Sequence, residues 1–172
     1  MALQQAIGRP ALGFRVGVIG HRDLAGVDKK SLEKRIHSVL YDIKSGLVRH
    51  NDSWGYADAT AQLYLVNSLA EGVDQLAAAI AINPDLGFQL RCPVPFTLEC
   101  YKSHFQYQAE DARKQFDRFI SDPNTSLVMM GCSDEDGKRR EGYRAAAGML
   151  LENSDLIIAV LDADRDHRGG NK

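Results

Sequence analysis

The sequence predicts an α/β domain of the Rossmann-like type, in which a mostly parallel sheet of five or six strands lies between two layers of helices. Short apolar runs rich in β-branched residues alternate with longer segments whose apolar residues recur at helical spacing. This alternation requires right-handed β-α-β crossovers, which make neighbouring strands parallel. The chain has 172 residues, of which 44% are hydrophobic. That is enough to bury one core, so we expect a single domain over residues 1–172.

The first half of the chain is expected to contribute two strands and two helices. In order, the predicted segments are a loose leader (1–13), a strand (14–19), a helix (28–50), a loop (51–59), a strand (62–66) and a helix (from 72 or 73 to 83). Asp28 is a suitable amino-terminal cap for the first helix. Pro84 stops the second helix, because proline has no N–H and restricts the residue before it.

The second half continues the same alternation. Its predicted segments are a strand (88–94), a polar helical region (98–120), a strand (126–130), an acidic loop (131–137), a helix (139–152), a strand (155–161) and a charged tail (162–172). Pro93 and Pro95 must lie at the exit of their strand, because proline inside a central strand removes a ladder donor. We expect the tail to be flexible.

Charge and cysteine content exclude several classes of protein. The net charge of -2 provides no global positive field, so we do not expect nucleic-acid binding. No apolar run approaches the roughly 20 residues that cross a bilayer, and residues 1–13 contain no secretory signal. The three cysteines and five histidines show no disulfide framework and no metal-ligand spacing. We therefore expect a cytoplasmic protein with reduced thiols, no membrane partner and no metal site.

Gly20, His21 and Arg22 follow the first strand directly, at the end where open parallel sheets bind ligands. Gly20 lets a ligand approach the backbone. The Arg22 guanidinium can hold a phosphate through two hydrogen bonds, and His21 can donate a hydrogen bond or transfer a proton. The alternative is a plain turn with an arginine at the surface. We favour an anion site, because functional residues gather at strand ends.

The second strand is followed by small and acidic residues, namely Ser68, Leu69, Ala70, Glu71, Gly72, Val73 and Asp74. The helix that begins here offers unpaired N–H groups and a partial positive charge, which together favour an anion. Ser68 adds a hydroxyl, Gly72 allows close approach, and Glu71 can accept hydrogen bonds from a ribose. Asp74 has the alternative role of a helix cap. A dinucleotide fingerprint and a P-loop are both absent.

Two further segments are candidates for the ligand site. Arg140 and Tyr143 lie three residues apart on one face of the helix predicted at 139–152, where they can cover the mouth of a pocket. The alternative for this basic segment is a solvated helix face. The tail after the last strand contains a possible third anion-binding loop, formed by Arg168, Gly169 and Gly170. Its alternative is a hydrophilic terminus.

Taken in order, these segments resemble the SLOG superfamily, which includes the Rossmann-like domain of DNA-processing protein A and the lonely-guy nucleotide phosphoribohydrolases. The matching segments span nearly the whole chain: 18–22, 68–74, Pro95 and Phe96 with Tyr101, Arg140 with Tyr143, and 155–160 followed by 168–170. The resemblance implies binding or sensing of a nucleotide or nucleotide-derived ligand, as part of a bacterial signalling or defence system. Its phosphates or ribose would meet Gly20, Arg22, the 68–72 turn and the glycines after the last strand. Such domains often pair through helices, so a homo-oligomer is expected.

The chain departs from the lonely-guy enzymes after the last strand. Those enzymes carry Pro-Gly-Gly-x-Gly-Thr and then a catalytic glutamate, whereas this sequence ends at Asn171 and Lys172. We expect that the chain is truncated there, and no catalytic residue is assigned. This favours binding of the nucleotide ligand over turnover. Two alternatives stay open: a hydrolase of nucleotide N-glycosidic bonds with Glu71 or Glu99 as acid or base, and single-stranded DNA binding.

Overall fold

A computed structural model describes residues 11–50, 61–135 and 137–161 of the chain. The elements in these ranges are β1 (Gly13–Gly20), α1 (Lys29–His50), β2 (Gln62–Val66), α2 (Val73–Ala81), β3 (Gln89–Val94), α3 (Leu98–Ser103), α4 (Ala109–Ile120), β4 (Thr125–Met129), α5 (Arg139–Glu152) and β5 (Leu156–Val160). The five strands form one parallel sheet in the order β4-β3-β2-β1-β5. The predicted fold class is confirmed.

Helices cover both faces of the sheet. The chain steps from β1 through β2 and β3 to β4 in one direction, so right-handed crossovers place α1, α2 and α4 on one face. Contacts of α2 with α1, α4 and β1 agree with this placement. The connection from β4 returns across the sheet to β5, and its helix α5 packs over β3 from the other face. The strand order therefore explains the three layers.

The main core lies between the sheet and the layer of α1, α2 and α4. Val16 and Val18 of β1 are fully buried, as their position on one face of a strand requires. Ile36, Leu40 and Leu47 of α1 are buried because spacings of four and seven residues place them on one side of a helix. Each such side chain contributes about 1.5–3 kcal/mol on burial. None of the described helices has the length and apolar character that a membrane crossing requires.

Residues 11–13 belong to the fold, so the predicted loose leader is wrong for this part. Leu12 is buried, and its carbonyl accepts a hydrogen bond of 2.7 Å from the N–H of Gln62. The predicted cap is confirmed, because an Asp28 carboxylate oxygen accepts a hydrogen bond of 3.2 Å from the N–H of Ser31. The remaining predictions for the leader (1–10), the loop (51–59) and the tail (162–172) lie outside the described residues.

The region predicted as helical over 98–120 consists of two helices instead of one continuous segment. Thr97 caps α3, and Gln108, with a positive φ of 49°, precedes α4. Between the two helices, backbone groups of His104, Gln106 and Tyr107 bond to side chains from the ends of β1 and β2. Those bonds replace the ones that a continuous helix would make. The interruption is therefore built around the edge of the sheet where the strands end.

Candidate functional site

The segments that follow β1 and β2 pack directly against each other. A Cβ added to Gly20 would lie 2.7 Å from the side chain of Val73. Gly72 has a φ of +89°, and a Cβ there would lie 2.3 Å from the carbonyl oxygen of Arg22. The N–H of Val73 donates to the carbonyl of His21 at 3.1 Å. The predicted convergence of these two strand ends is thus confirmed, and it depends on two positions without a side chain.

A buried ion pair holds the two segments together. Arg22 Nη2 donates to Glu71 Oε1 at 2.8 Å and to the carbonyl oxygen of His104 at 2.7 Å. The same Glu71 oxygen accepts from the N–H groups of Gln106 (3.0 Å) and Tyr107 (3.4 Å). The Glu71 side chain is 2% exposed and that of Arg22 is 35% exposed. Glu71 Oε1 therefore orients Arg22 and the segment before α4. Glu71 Oε2 is buried without a hydrogen-bond partner among the described residues, and Glu71 lines a further hollow of about 270 Å³ beside Arg22, so its role toward a ribose stays a prediction.

Asp74 occupies the anion position that the sequence assigned to a ligand. Its Oδ2 accepts hydrogen bonds from the N–H of Ser68 at 3.2 Å and from that of Ala70 at 3.4 Å. The N–H of Leu69 donates to the side chain of Asn67 at 3.1 Å. These amides are consequently satisfied within the protein. The predicted helix cap is wrong, because Gly72 is the N-cap of α2, no side chain caps that helix end, and Asp74 binds amides of the preceding turn instead.

The Asp74 carboxyl is also the described acid whose pKa lies close to neutral pH. Burial raises its pKa from 3.8 to about 7, against the opposing effect of the Ala70 and Ser68 N–H groups and the charge of Arg22. Part of the residue still faces a surface hollow. Glu99, by contrast, is 87% exposed and pairs with Lys102 at 3.0 Å. Asp74 is therefore a largely buried acid beside this hollow, and Glu99 is a solvent-facing one.

Two hollows open on either side of Arg22 and Tyr143, which line both. The apolar hollow has a volume of about 300 Å³, and its lining includes five residues of α5 together with Ser68, Asp74 and Tyr101. The polar hollow has a volume of about 370 Å³ and is lined by Ser103, His104, Gln106, Asp134 and Arg139. One surface therefore offers a flat apolar wall beside a group of hydrogen-bonding and charged side chains.

The two predicted residues of α5 have different positions. Tyr143 packs its ring against Phe96, with centroids 5.3 Å apart, and its hydroxyl lies 2.8 Å from His104 Nδ1. Arg140 is exposed and lines neither hollow. Arg139 lines the polar hollow instead, and its Nε donates to Asp134 at 2.7 Å. Both arginines share a helix face with Tyr143, at four and three residues from it, and of the two only Arg139 lines the polar hollow.

Two other predicted ligand residues lie away from these hollows. Leu69 is fully buried in the core, with a positive φ of 55°. His21 lines a separate cavity of about 490 Å³ on the α1 side of the sheet, next to the end of β5. The carboxyl end of β5 pairs with that of β1, with Val160 opposite Gly20. The predicted residues in the tail, Arg168, Gly169 and Gly170, lie outside the described part of the chain.

Sequence inspection missed a cluster of three side chains on the wall of the polar hollow. The ligand-type atoms of Cys100, His104 and Asp134 all lie within 4.8 Å of one another, and His104 Nε2 is 3.1 Å from Asp134 Oδ2. The Arg139 hydrogen bond, then those of the Cys100 thiol and His104, lower the Asp134 pKa to about 2. Burial and then Asp134 raise the pKa of the Cys100 thiol. The available signal was the four-residue spacing of Cys100 and His104, one helical turn.

Comparison with known proteins assigns no function to this edge of the sheet. No protein-family model matches the chain, and no curated protein matches it. The resemblance to the SLOG superfamily stays a prediction, and a functional assignment has to be argued from the geometry of the hollows.

Proposed function

We propose that the chain binds a nucleotide or nucleotide-derived ligand across the two hollows, with its phosphate in the polar hollow and its base in the apolar hollow. The observation that carries the proposal is the position of Arg22, at the end of β1 and on the boundary between them. Together the hollows have the size of a small-molecule site, about 300–1,000 Å³. The carboxyl ends of parallel strands are where such folds bind ligands.

The polar hollow supplies the groups that a phosphate requires. Glu71 and the His104 carbonyl fix the Arg22 guanidinium, so little side-chain entropy is lost when a ligand arrives. Arg139 contributes a second guanidinium, 54% exposed, on the opposite wall. The Tyr143 hydroxyl adds a neutral hydrogen-bonding group. A phosphate between the two arginines would exchange with Asp134 for the hydrogen bonds of Arg139.

The apolar hollow supplies a surface for a flat heterocycle. Ala147 and Leu151 of α5 form one wall, and the Leu151 side chain is exposed although it is apolar. Ser68 and Asp74 are the hydrogen-bonding groups on the opposite side. A carboxyl with a pKa of about 7 can accept from, or donate to, the edge of a base. Covering an exposed leucine with a base adds favourable apolar burial.

Calorimetric titration of the full chain tests the proposal. The probes are adenosine and guanosine mono- and diphosphates, NAD and ADP-ribose, with inorganic phosphate for comparison. We expect Arg139→Gln to weaken nucleotide binding about 2- to 10-fold, because the phosphate replaces Asp134 as the partner of Arg139 and the net contribution of a hydrogen bond is about 0.5–1.5 kcal/mol. Arg144→Gln is the matched control, since Arg144 is exposed on the same helix and lines neither hollow. Absence of nucleotide binding, or equal weakening by both variants, would reject the proposal.

One observation favours a second function, the hydrolysis of a nucleotide N-glycosidic bond. A carboxyl with a pKa of about 7, on the wall of a hollow, has the properties of a general acid. We assign this role to Asp74 because Glu71 is held in an ion pair with Arg22 and Glu99 faces solvent. Chromatography for free base, after incubation with nucleoside monophosphates or NAD, distinguishes turnover from binding. Asp74→Asn should abolish base release and retain binding if this second function is correct.

A further inference from the structure

We propose that Cys100 Sγ, His104 Nε2 and Asp134 Oδ2 bind one zinc ion on the wall of the polar hollow. The three atoms are drawn from the α3 turn and from the loop after β4, and they lie within 4.8 Å of one another. Zinc ligands at about 2.0–2.3 Å from the metal in tetrahedral geometry lie about 3.3–3.8 Å apart. Closing the cluster around an ion therefore requires only a small side-chain movement.

Neighbouring side chains also orient two of the proposed ligands, by hydrogen bonds to the atoms that face away from the metal position. His104 Nδ1 is 2.8 Å from the Tyr143 hydroxyl, which leaves Nε2 directed to Asp134. Asp134 Oδ1 accepts the 2.7 Å hydrogen bond from Arg139 Nε, while Oδ2 lies 3.1 Å from His104 Nε2 and accepts a longer hydrogen bond of 3.4 Å from Arg139 Nη2. The His104 side chain is 9% exposed and that of Asp134 is 27% exposed. A partner that holds the far atom of each ligand is the arrangement that surrounds bound zinc in proteins.

The donor set indicates which metal is bound. One thiolate, one imidazole and one carboxylate suit zinc, whereas magnesium and calcium prefer oxygen ligands alone. Binding replaces the S–H bond of Cys100 by an S–Zn bond and releases its proton to solvent. Three protein ligands leave a fourth position for water or a ligand oxygen. Since His104 and Asp134 line the polar hollow, the metal would add a positive charge there.

Cobalt(II) titration of the reduced, chelator-treated full chain tests the metal site without any nucleotide. We expect one equivalent to bind, with a thiolate-to-cobalt charge-transfer band and the intense visible bands of tetrahedral cobalt, and we expect zinc to displace it. Cys100→Ser should abolish the charge-transfer band and weaken metal binding at least about 100-fold, since even loss of an outer partner costs 10- to 100-fold. Serine is nearly isosteric, and Cys100 is only half-buried, so the variant should fold.

Cys132→Ser is the matched control. Cys132 is also a half-buried free cysteine, two residues before Asp134, but it is outside the cluster. The control should keep both the charge-transfer band and the affinity. The proposal is overturned if the unmodified protein gives no such band, if Cys100→Ser binds cobalt as tightly as the unmodified protein, or if the band depends on Cys132. Circular dichroism of each metal-free variant verifies that it is folded.

Discussion

Replacing Arg22 by alanine should destabilise the fold as well as impair ligand binding. The guanidinium neutralises Glu71, whose side chain is 2% exposed, through a contact of 2.8 Å. In Arg22→Ala the carboxylate remains buried without its counter-charge. The bond to the carbonyl of His104 is lost at the same time, so the segment before α4 loses one of its attachments to the sheet.

The magnitude follows from the burial of the two partners. Removing one partner from a buried ion pair costs about 3–5 kcal/mol. Two observations reduce that figure here, because the Arg22 side chain is 35% exposed and because the N–H groups of Gln106 and Tyr107 still bond to Glu71. We therefore expect a loss of about 2–3 kcal/mol. For a chain of this length that corresponds to a fall in Tm of about 4–12 °C.

Urea unfolding followed by circular dichroism measures this loss, and two further variants interpret it. Glu71→Gln should cost only about 1 kcal/mol, because the remaining guanidinium reaches solvent. The double variant Arg22→Ala/Glu71→Gln should be no less stable than Arg22→Ala, which gives a coupling energy of at least about 1 kcal/mol. Arg15→Ala removes an exposed pair with Asp155, also at 2.8 Å, and should cost less than about 1 kcal/mol. If Arg22→Ala is no more costly than Arg15→Ala, the structural role of the pair is refuted.

Two other predictions concern stability. Gly72→Ala should lower the free energy of unfolding by more than about 2 kcal/mol, because φ is +89° and the new Cβ would lie 2.3 Å from a backbone oxygen. Gly148→Ala is the control: a Cβ there meets open space, so this variant should raise the free energy of unfolding by about 0.5–1 kcal/mol. Urea unfolding of both variants measures the difference. The pKa of the Asp74 carboxyl is about 7 in the folded protein, against 3.8 for an unperturbed aspartate. Between these two pH values the native state holds a proton that the unfolded state has released. The free energy of unfolding should therefore fall as the pH rises through this range, by at most about 4 kcal/mol. Asp74→Asn should remove this pH dependence of the free energy of unfolding. Asp155→Asn is the control: the pKa of the Asp155 carboxyl is lowered, so this variant should change the stability profile only at acidic pH. An unchanged pH dependence in Asp74→Asn contradicts the raised pKa assigned to Asp74.

The fold could be predicted because each element is encoded by a local pattern. Apolar runs followed by glycine mark the strands, and the spacing of Ile36, Leu40 and Leu47 marks one face of α1. The rule that crossovers are right-handed then brings the ends of β1 and β2 to one edge. Gly20 and Gly72 could be recognised as points of close approach for the same reason, although the atom that approaches each one is protein and not ligand.

The partners of the polar side chains could not be predicted, because they depend on residues distant in sequence. Arg22 is paired with Glu71 and with the carbonyl of His104, which are 49 and 82 residues away along the chain. Periodicity alone cannot show that the helical region 98–120 is interrupted, since the interruption is fixed by bonds to β1 and β2. Sequence spacing alone could not distinguish Arg140 from Arg139, because both share a helix face with Tyr143 and only the position of the Asp134 loop separates them.

The internal pairing of this edge restricts which ligands it can bind. Arg22 is paired with Glu71, Arg139 with Asp134, and the amides of Ser68 and Ala70 with Asp74. An entering phosphate therefore exchanges existing hydrogen bonds for new ones, and the net gain from such an exchange is small. Most of the binding free energy must then come from covering apolar surface, at about 25 cal/mol per Å². In this edge that surface is the α5 wall of the apolar hollow. A phosphate joined to a flat heterocycle both exchanges hydrogen bonds with the arginines and covers the apolar wall. Free phosphate only exchanges hydrogen bonds, which is the smaller contribution to the binding free energy.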